Sequence, residues 1–208
     1  MQLFDHLSRN DFVMKLQAKL PGFQAWQKLM PFKHPLSSEY SSEGLKPAAV
    51  LIALYRHDNR WVIPLIQRAE DGYQHSGQVS FPGGRANLNE DLEHCAIREA
   101  YEEIGIDPRT ITVIGKLTPI PIHVSHHLVH PFVAIINQKP EWILQPEEVS
   151  AVLEIELNEF NDQAIQTEEW DFPHRGGLCP VPFYYLREKK IWGATAMILS
   201  ELMAVINN

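Results

Sequence analysis

The spacing of apolar residues changes along the chain, and each change marks an element. From Leu3 to Leu20 apolar residues (Phe4, Leu7, Phe12, Val13, Leu16, Leu20) recur near helical spacing until Pro21-Gly22 stops the pattern, which predicts a helical N-terminal extension. Residues 31–46, "PFKHPLSSEYSSEGLK", are rich in Ser, Pro and Gly and lack periodicity, so they read as a linker or surface loop. The β-rich runs "AAVLIALY" and "WVIPLIQR" then flank Asp58-Asn59, good turn chemistry for a hairpin. A glycine loop and a four-residue apolar period follow: Leu92, Ala96, Ala100 and Ile104 form one stripe of a helix. Further strands are expected in "ITVIGKLTPI", "HLVHPFVAIIN", "SAVLEIEL" and "PFYYLREKKIWGA", the last entering an amphipathic helix, "TAMILSELMAVI", with Trp192 and the small residues of "IWGATA" packed beneath it. This order predicts an α/β fold, a mixed sheet with a helix on each face, as one domain over residues 46–208 preceded by a helical extension and linker over residues 1–45.

Composition narrows the function. Across 208 residues the net charge is −8, and no run of five Lys or Arg occurs, so the chain lacks the footprint of a nucleic-acid binder. Its two cysteines, Cys95 and Cys179, form no Cys-x-x-Cys pair and fit a reduced compartment without structural zinc. The opening residues lack the basic start and apolar core of a signal peptide, and no stretch approaches the length of a membrane span. A cytosolic protein is expected, with no membrane partner; a homodimer is allowed.

The candidate chemistry lies on the central helix. Asn89 is the expected N-cap, Glu90, Asp91 and Glu93 put negative charge in the first turn, and Gly105 ends the helix. The side opposite the apolar stripe carries Arg98, Glu99, Glu102 and Glu103. Glu99 and Glu103 form an i,i+4 like-charge pair, which costs about 0.2–0.5 kcal/mol on an exposed helix. Arg98 can hold Glu102 by an i,i+4 pair, which leaves Glu99 and Glu103 without a cation. A hard divalent ion would offset that repulsion, since Mg²⁺ takes carboxylate oxygens and bridges them to substrate phosphates. Spacing alone also fits a solvated acidic face.

The whole string is more specific than its carboxylates. Gly84, five residues, Glu90, seven residues, then Arg98-Glu99-Ala100-x-Glu102-Glu103-x-Gly105-Ile106 resembles the Nudix box at every fixed position. The resemblance implies an α/β/α sandwich and hydrolysis of a nucleoside diphosphate linked to another group. It implies Mg²⁺ or Mn²⁺ on Glu99 and Glu103, with Glu102 sharing a second ion or orienting a water, and the Gly84 carbonyl as a further ligand. Arg98 would orient the glutamates and Glu90 would brace the loop. The chemistry is consistent: water attacks a diphosphate when charge on the phosphoryl oxygens is neutralised.

Upstream, "PLIQRAEDGYQHSGQVSFPGG" resembles the coenzyme A pyrophosphatase subgroup through Arg68, Ala69, Gly77 and Phe81-Pro82-Gly83-Gly84. "LTPIPIHVSHHLVHPFVA" and "IWGATAMIL" carry the likeness on to about Leu202. That resemblance implies a coenzyme A-like substrate, with Arg68, Gly77, Ser80, Gly83 and Arg85 on the substrate-binding side. Tyr73 departs from the pattern, which has an Arg there, and an Arg would grip phosphate where Tyr carries no charge. The same chemistry on ADP-ribose, a dinucleotide or an oxidised nucleotide stays open, as does a non-catalytic sensor. Glu147 and Glu148, just before a strand, are candidates with Glu102 for the general base, and the sequence does not choose among them. The four histidines of "HVSHHLVH" (His123, His126, His127, His130) alternate faces on a strand and are expected at the pocket mouth rather than on zinc.

Overall fold

Alternating apolar residues build the strands, and the computed structural model describes residues 3–31, 42–70, 77–172 and 177–208. In chain order the strands are β1 (Lys46–His57), β2 (Arg60–Arg68), β3 (Val79–Ser80), β4 (Gly83–Arg85), β5 (Ile111–Lys116), β6 (Ile120–Ile122), β7 (His127–Ile136), β8 (Val149–Glu156), β9 (Ile165–Phe172), β10 (Gly177–Leu186) and β11 (Lys189–Trp192). The helices are α1 (Arg9–Gln17), α2 (Phe23–Trp26), α3 (Leu92–Ile104) and α4 (Gly193–Asn207).

The main sheet runs β3-β2-β1-β7-β5, with β4 on β1, β6 on β7 and β8 on β2. It is mixed: β1 and β7 are parallel, and the other pairs are antiparallel. The β1–β2 hairpin turns at Asp58 (φ 46°) and Asn59 (φ 64°), the two positive φ values that fit a tight hairpin to strand twist. A second antiparallel sheet, β11-β10-β9, adjoins it.

Period two on β1 divides the core. Ala49, Leu51, Ala53 and Tyr55 pack on Cys95, Ala96, Ala100 and Ile104 of α3. Ile52 and Leu54 face the other way, into a cluster with Phe12, Leu16, Trp26 and Leu29 and with Ile198, Leu199 and Leu202 of α4. The expected sandwich is therefore present, and residues of the N-terminal segment contribute to the α4 side.

Several local expectations need correction. The N-terminal helix is shorter than its apolar pattern: Ser8 and Asp11 form a capping box that starts it at Arg9. On α3 the N-cap is Asp91, whose carboxylate accepts from the N–H groups of Glu93 and His94, while Asn89 is left-handed at φ 63°. Gly105 ends the helix in the left-handed conformation expected of it (φ 76°). Trp192 packs edge-on against Trp170 at 4.8 Å, and Ile191 is the residue that enters the core. β9 was not expected from "IQTEEWDF", a largely exposed strand held by its register with β10. The expected linker lies largely outside the described residues, and β1 opens at Lys46, two residues before the expected run "AAVLIALY".

Candidate active site

Two glycines bring the chain against α3. Gly83 and Gly84 pair with Val50 and Ala49 of β1. A Cβ on Gly83 would lie 2.3 Å from the Ala49 carbonyl oxygen, so β4 can hold this approach only without a side chain. On Gly84 a Cβ would lie 2.5 Å from the carboxyl carbon of Glu99, inside the space this carboxylate occupies. The Gly84 carbonyl accepts a long contact from the Cys95 Sγ, at 3.7 Å.

Glu103, placed by the helical period on the exposed side, is instead buried, with 1% of its surface accessible. Its carboxylate accepts the Gly83 N–H at 2.8 Å, and the Arg68 guanidinium stands off at 3.8 Å. Burial pushes its pKa up to about 8, the Gly83 N–H and Arg68 pull it down, and the charges of Glu99 and Glu148 raise it further. The Glu99 pKa is also raised, by burial above all, against the opposing effect of Arg98.

Arg98 does more than hold Glu102. Its Nη1 donates to Glu99 at 2.7 Å and to Glu102 at 2.8 Å, while Nε and Nη2 donate to Glu90 at 2.7 and 2.9 Å. Glu99 thus has a cation after all, while among the described residues the one cation near Glu103 is the distant Arg68. Glu90 also accepts the Asn87 N–H, bracing the loop, and Arg98 draws its pKa down to about 2. Glu102 points outward, with half of its side chain exposed.

The Glu147–Glu148 turn hangs from the end of α3. The Gln145 N–H donates to the Glu103 carbonyl at 3.0 Å and the Ile143 N–H to that of Ile104 at 3.2 Å. The Glu148 carbonyl accepts the Ala69 N–H at 2.8 Å, which ties the turn to Arg68. Both glutamates are exposed, and Glu148 is the one whose charge acts on Glu99 and Glu103. No sequence pattern marked Gln145, because its part is played by the backbone alone.

The upstream residues divide. Arg68 turns toward Glu103, and Gly77 (φ 69°) donates its N–H to the Ala69 carbonyl at 3.3 Å, closing the segment. Ser80 lies in β3 opposite Ile66. Arg85 is exposed and pairs with Ala48, on the sheet face away from α3. Tyr73 lies outside the described residues. His123 and His126 fall in a turn and only His127 and His130 lie on β7.

Among the described residues no three His, Cys, Asp or Glu side chains form a closed metal cage. A Mg²⁺-like ion does not need one, since it keeps waters and takes one or two carboxylates with substrate phosphates. The donors here suit it: an under-supplied buried carboxylate on Glu103, Glu99 over the bare Cα of Gly84, and the Gly84 carbonyl, all oxygen.

A glycine strand pressed on a carboxylate helix inside an α/β/α sandwich gathers oxygen donors of the kind that enzymes of phosphate chemistry use. The NUDIX domain model matches residues 45–175, more than half of the chain, and the protein belongs to the Nudix family. It is similar to a protein of Salmonella paratyphi B named "Uncharacterized Nudix hydrolase NudL", with 38% identity over 161 residues, 76% of this chain and 81% of that one. Among solved structures it resembles a Caenorhabditis elegans Ap4A hydrolase (TM-score 0.47, 21% identity, 55% of this chain and 82% of that one). It also resembles the Mycobacterium smegmatis Nudix hydrolase RenU (TM-score 0.49, 19% identity, 56% and 74%). Nudix hydrolases act on small nucleotide substrates and generally use divalent metals. No described helix is long and apolar enough to cross a membrane.

Proposed function

We propose that this enzyme hydrolyses the diphosphate of coenzyme A or an acyl-coenzyme A, giving 4′-phosphopantetheine and adenosine 3′,5′-bisphosphate, with Mg²⁺ or Mn²⁺, in the cytosol. The observation that carries the reading is the approach of Arg68 to Glu103 at 3.8 Å. It joins the upstream segment that resembles the coenzyme A subgroup to the helix that resembles the Nudix box, so one site can serve both.

Glu99, Glu103 and the Gly84 carbonyl hold the ion in this reading, with Glu102 beside them. When bound, a divalent ion supplies charge neutralisation on the phosphoryl oxygens and acidifies a coordinated water. Arg98 fixes Glu99 and Glu102 in direction, and Gly83 does the same for Glu103 through its N–H. Arg68, beside Glu103, is placed to take a phosphate oxygen, with Gly77, Ser80 and Gly83 shaping the approach. For the general base the choice among Glu102, Glu147 and Glu148 falls on Glu148. It is exposed, free to reach a water, and its charge acts on both Glu99 and Glu103.

Product analysis tests the substrate. Coenzyme A, 3′-dephospho-coenzyme A, ADP-ribose, NADH and 8-oxo-dGTP are incubated with the protein and Mg²⁺, then Mn²⁺. Adenosine 3′,5′-bisphosphate formed from coenzyme A ahead of every other product is the expected result. A faster reaction on another substrate would replace the coenzyme A reading and make Tyr73 the residue to exchange for Arg.

A further inference from the structure

β8 carries one residue more than the strand it pairs with. Along β2, Val62 and Ile66 face the α3 core, so plain alternation brings Arg68, two residues on, to the same face beside Glu103. On β8 the alternation breaks. Leu153 and Ile155 pack on the α4 side and Val152 on the α3 side, yet Val149, an even number of residues before Leu153, is buried in the α3 core with Ala100 and Ile104. The register gives the reason: Gln67 lies opposite Ala151 but Arg68 lies opposite Val149, so Ser150 is an extra residue, a β-bulge.

The bulge decides where the neighbouring turn lies. Without Ser150, period two would send Val149 to the α4 side and draw the chain before it away from α3. With it, Val149 stands opposite Arg68, the N–H groups of Glu148 and Val149 donate to the Gln145 carbonyl at 3.0 and 2.8 Å, and the Glu148 carbonyl accepts the Ala69 N–H at 2.8 Å. The register leaves Ser150 without an opposite residue on β2, and its side chain supplies the tie instead. The Ser150 hydroxyl donates to the Gln67 carbonyl at 3.1 Å, with the Arg68 carbonyl at 3.5 Å. Ser150 is exposed, so water could satisfy its hydroxyl, and what the bond adds is placement.

We propose that Ser150 is a positioning residue for the hydrolysis: its hydroxyl locks the bulge, and the bulge holds the turn that carries Glu148 against the end of α3, beside Arg68. The part of Glu148 as general base rests on the reading above, whereas the lock does not. Ser150 acts through the direction of Glu148. Because Arg68 reaches Glu103 by plain alternation, loosening the bulge displaces the base and leaves phosphate binding in place, so the effect falls on kcat rather than KM.

The test uses the full chain and reads structure and turnover separately. In Ser150→Ala the Ala69 amide, whose bond to Glu148 reports the lock, is expected to exchange with deuterium about ten-fold faster, while the amide of the fully buried Ile63 on the same strand keeps its protection. With Mg²⁺ and the best substrate of the panel, kcat is expected to fall about five-fold with KM within about two-fold, and Ser150→Thr, which keeps the hydroxyl, to restore both readouts. In a Glu148→Gln background Ser150→Ala should cost nothing further. Unchanged exchange at Ala69, a Thr variant as impaired as the Ala variant, or a full Ser150→Ala loss on top of Glu148→Gln overturns the proposal, as does a wild-type kcat in Ser150→Ala where Glu148→Gln is impaired. If Glu148→Gln alone leaves kcat intact, it is the base reading that falls, and the exchange at Ala69 decides the lock.

Discussion

Two buried glutamates on two helices of this protein have opposite surroundings. Glu201 of α4 is fully buried and accepts from the Gly22 N–H, the Trp26 indole, and both the N–H and hydroxyl of Thr118. Glu103 of α3 is almost as deeply buried, yet among the described residues it has one N–H at 2.8 Å and a guanidinium at 3.8 Å. A buried carboxylate supplied with donors on both oxygens is a structural clamp, here between the N-terminal segment, the β5–β6 connection and α4. One left short of donors among the described residues, beside a second carboxylate whose pKa is raised, has the surroundings that the proposed metal site requires.

The strongest way to break the contrast is to neutralise each in turn. Glu103→Gln is expected to lower turnover about 10²–10³-fold with Mg²⁺, measured as steady-state kcat on the best substrate of the panel, without lowering the melting temperature. Glu201→Ala should do the reverse. Stranding its buried donors is expected to cost about 3 kcal/mol in urea unfolding, with activity per folded molecule retained.

A smaller effect comes from pH. Glu103 holds its proton to about pH 8 in the fold but releases it near its ordinary value of 4.5 when unfolded. Between those values the folded state binds more protons, so the stability of the metal-free protein should fall as pH rises, by at most about 1.4 kcal/mol per pH unit, and level off above pH 8. Denaturation curves in chelator read this slope, and Glu103→Gln should remove its share. If the slope is the same in the variant, Glu103 is not its source.

The mildest prediction concerns Gly84→Ala. Its Cβ would displace the Glu99 carboxylate, the end of a flexible side chain. The expectation is Mn²⁺ affinity weakened about ten-fold by titration, with unfolding free energy changed by less than about 1 kcal/mol.

What the sequence revealed follows from which interactions are local. The β1–β2 hairpin, the α3 stripe and the Gly105 cap depend on neighbours a few residues away and could be read directly. The supply of donors to a carboxylate is set across the fold: Arg68 reaches Glu103 from another strand, and Trp26 and Thr118 reach Glu201 from distant segments. Helical spacing alone therefore misplaced Glu103 on an exposed face. For Glu201 there was a usable sign, a lone acid within the apolar run "MILSELMAVI". β9 escaped because its side chains are mostly exposed, so its strand character comes from pairing with β10 and not from its own pattern.

The backbone bond from Gln145 to the Glu103 carbonyl joins two motions that would otherwise be separate. A helix-end carbonyl usually finds water or a cap; this one takes an amide from the turn before β8. If the last turn of α3 frays, the bond opens with it, and the turn keeps only its tie from the Ala69 N–H to the Glu148 carbonyl. In hydrogen–deuterium exchange the Gln145 amide would then follow the clock of the helix end rather than that of its exposed neighbours, so the helix and the turn would open as one cooperative unit.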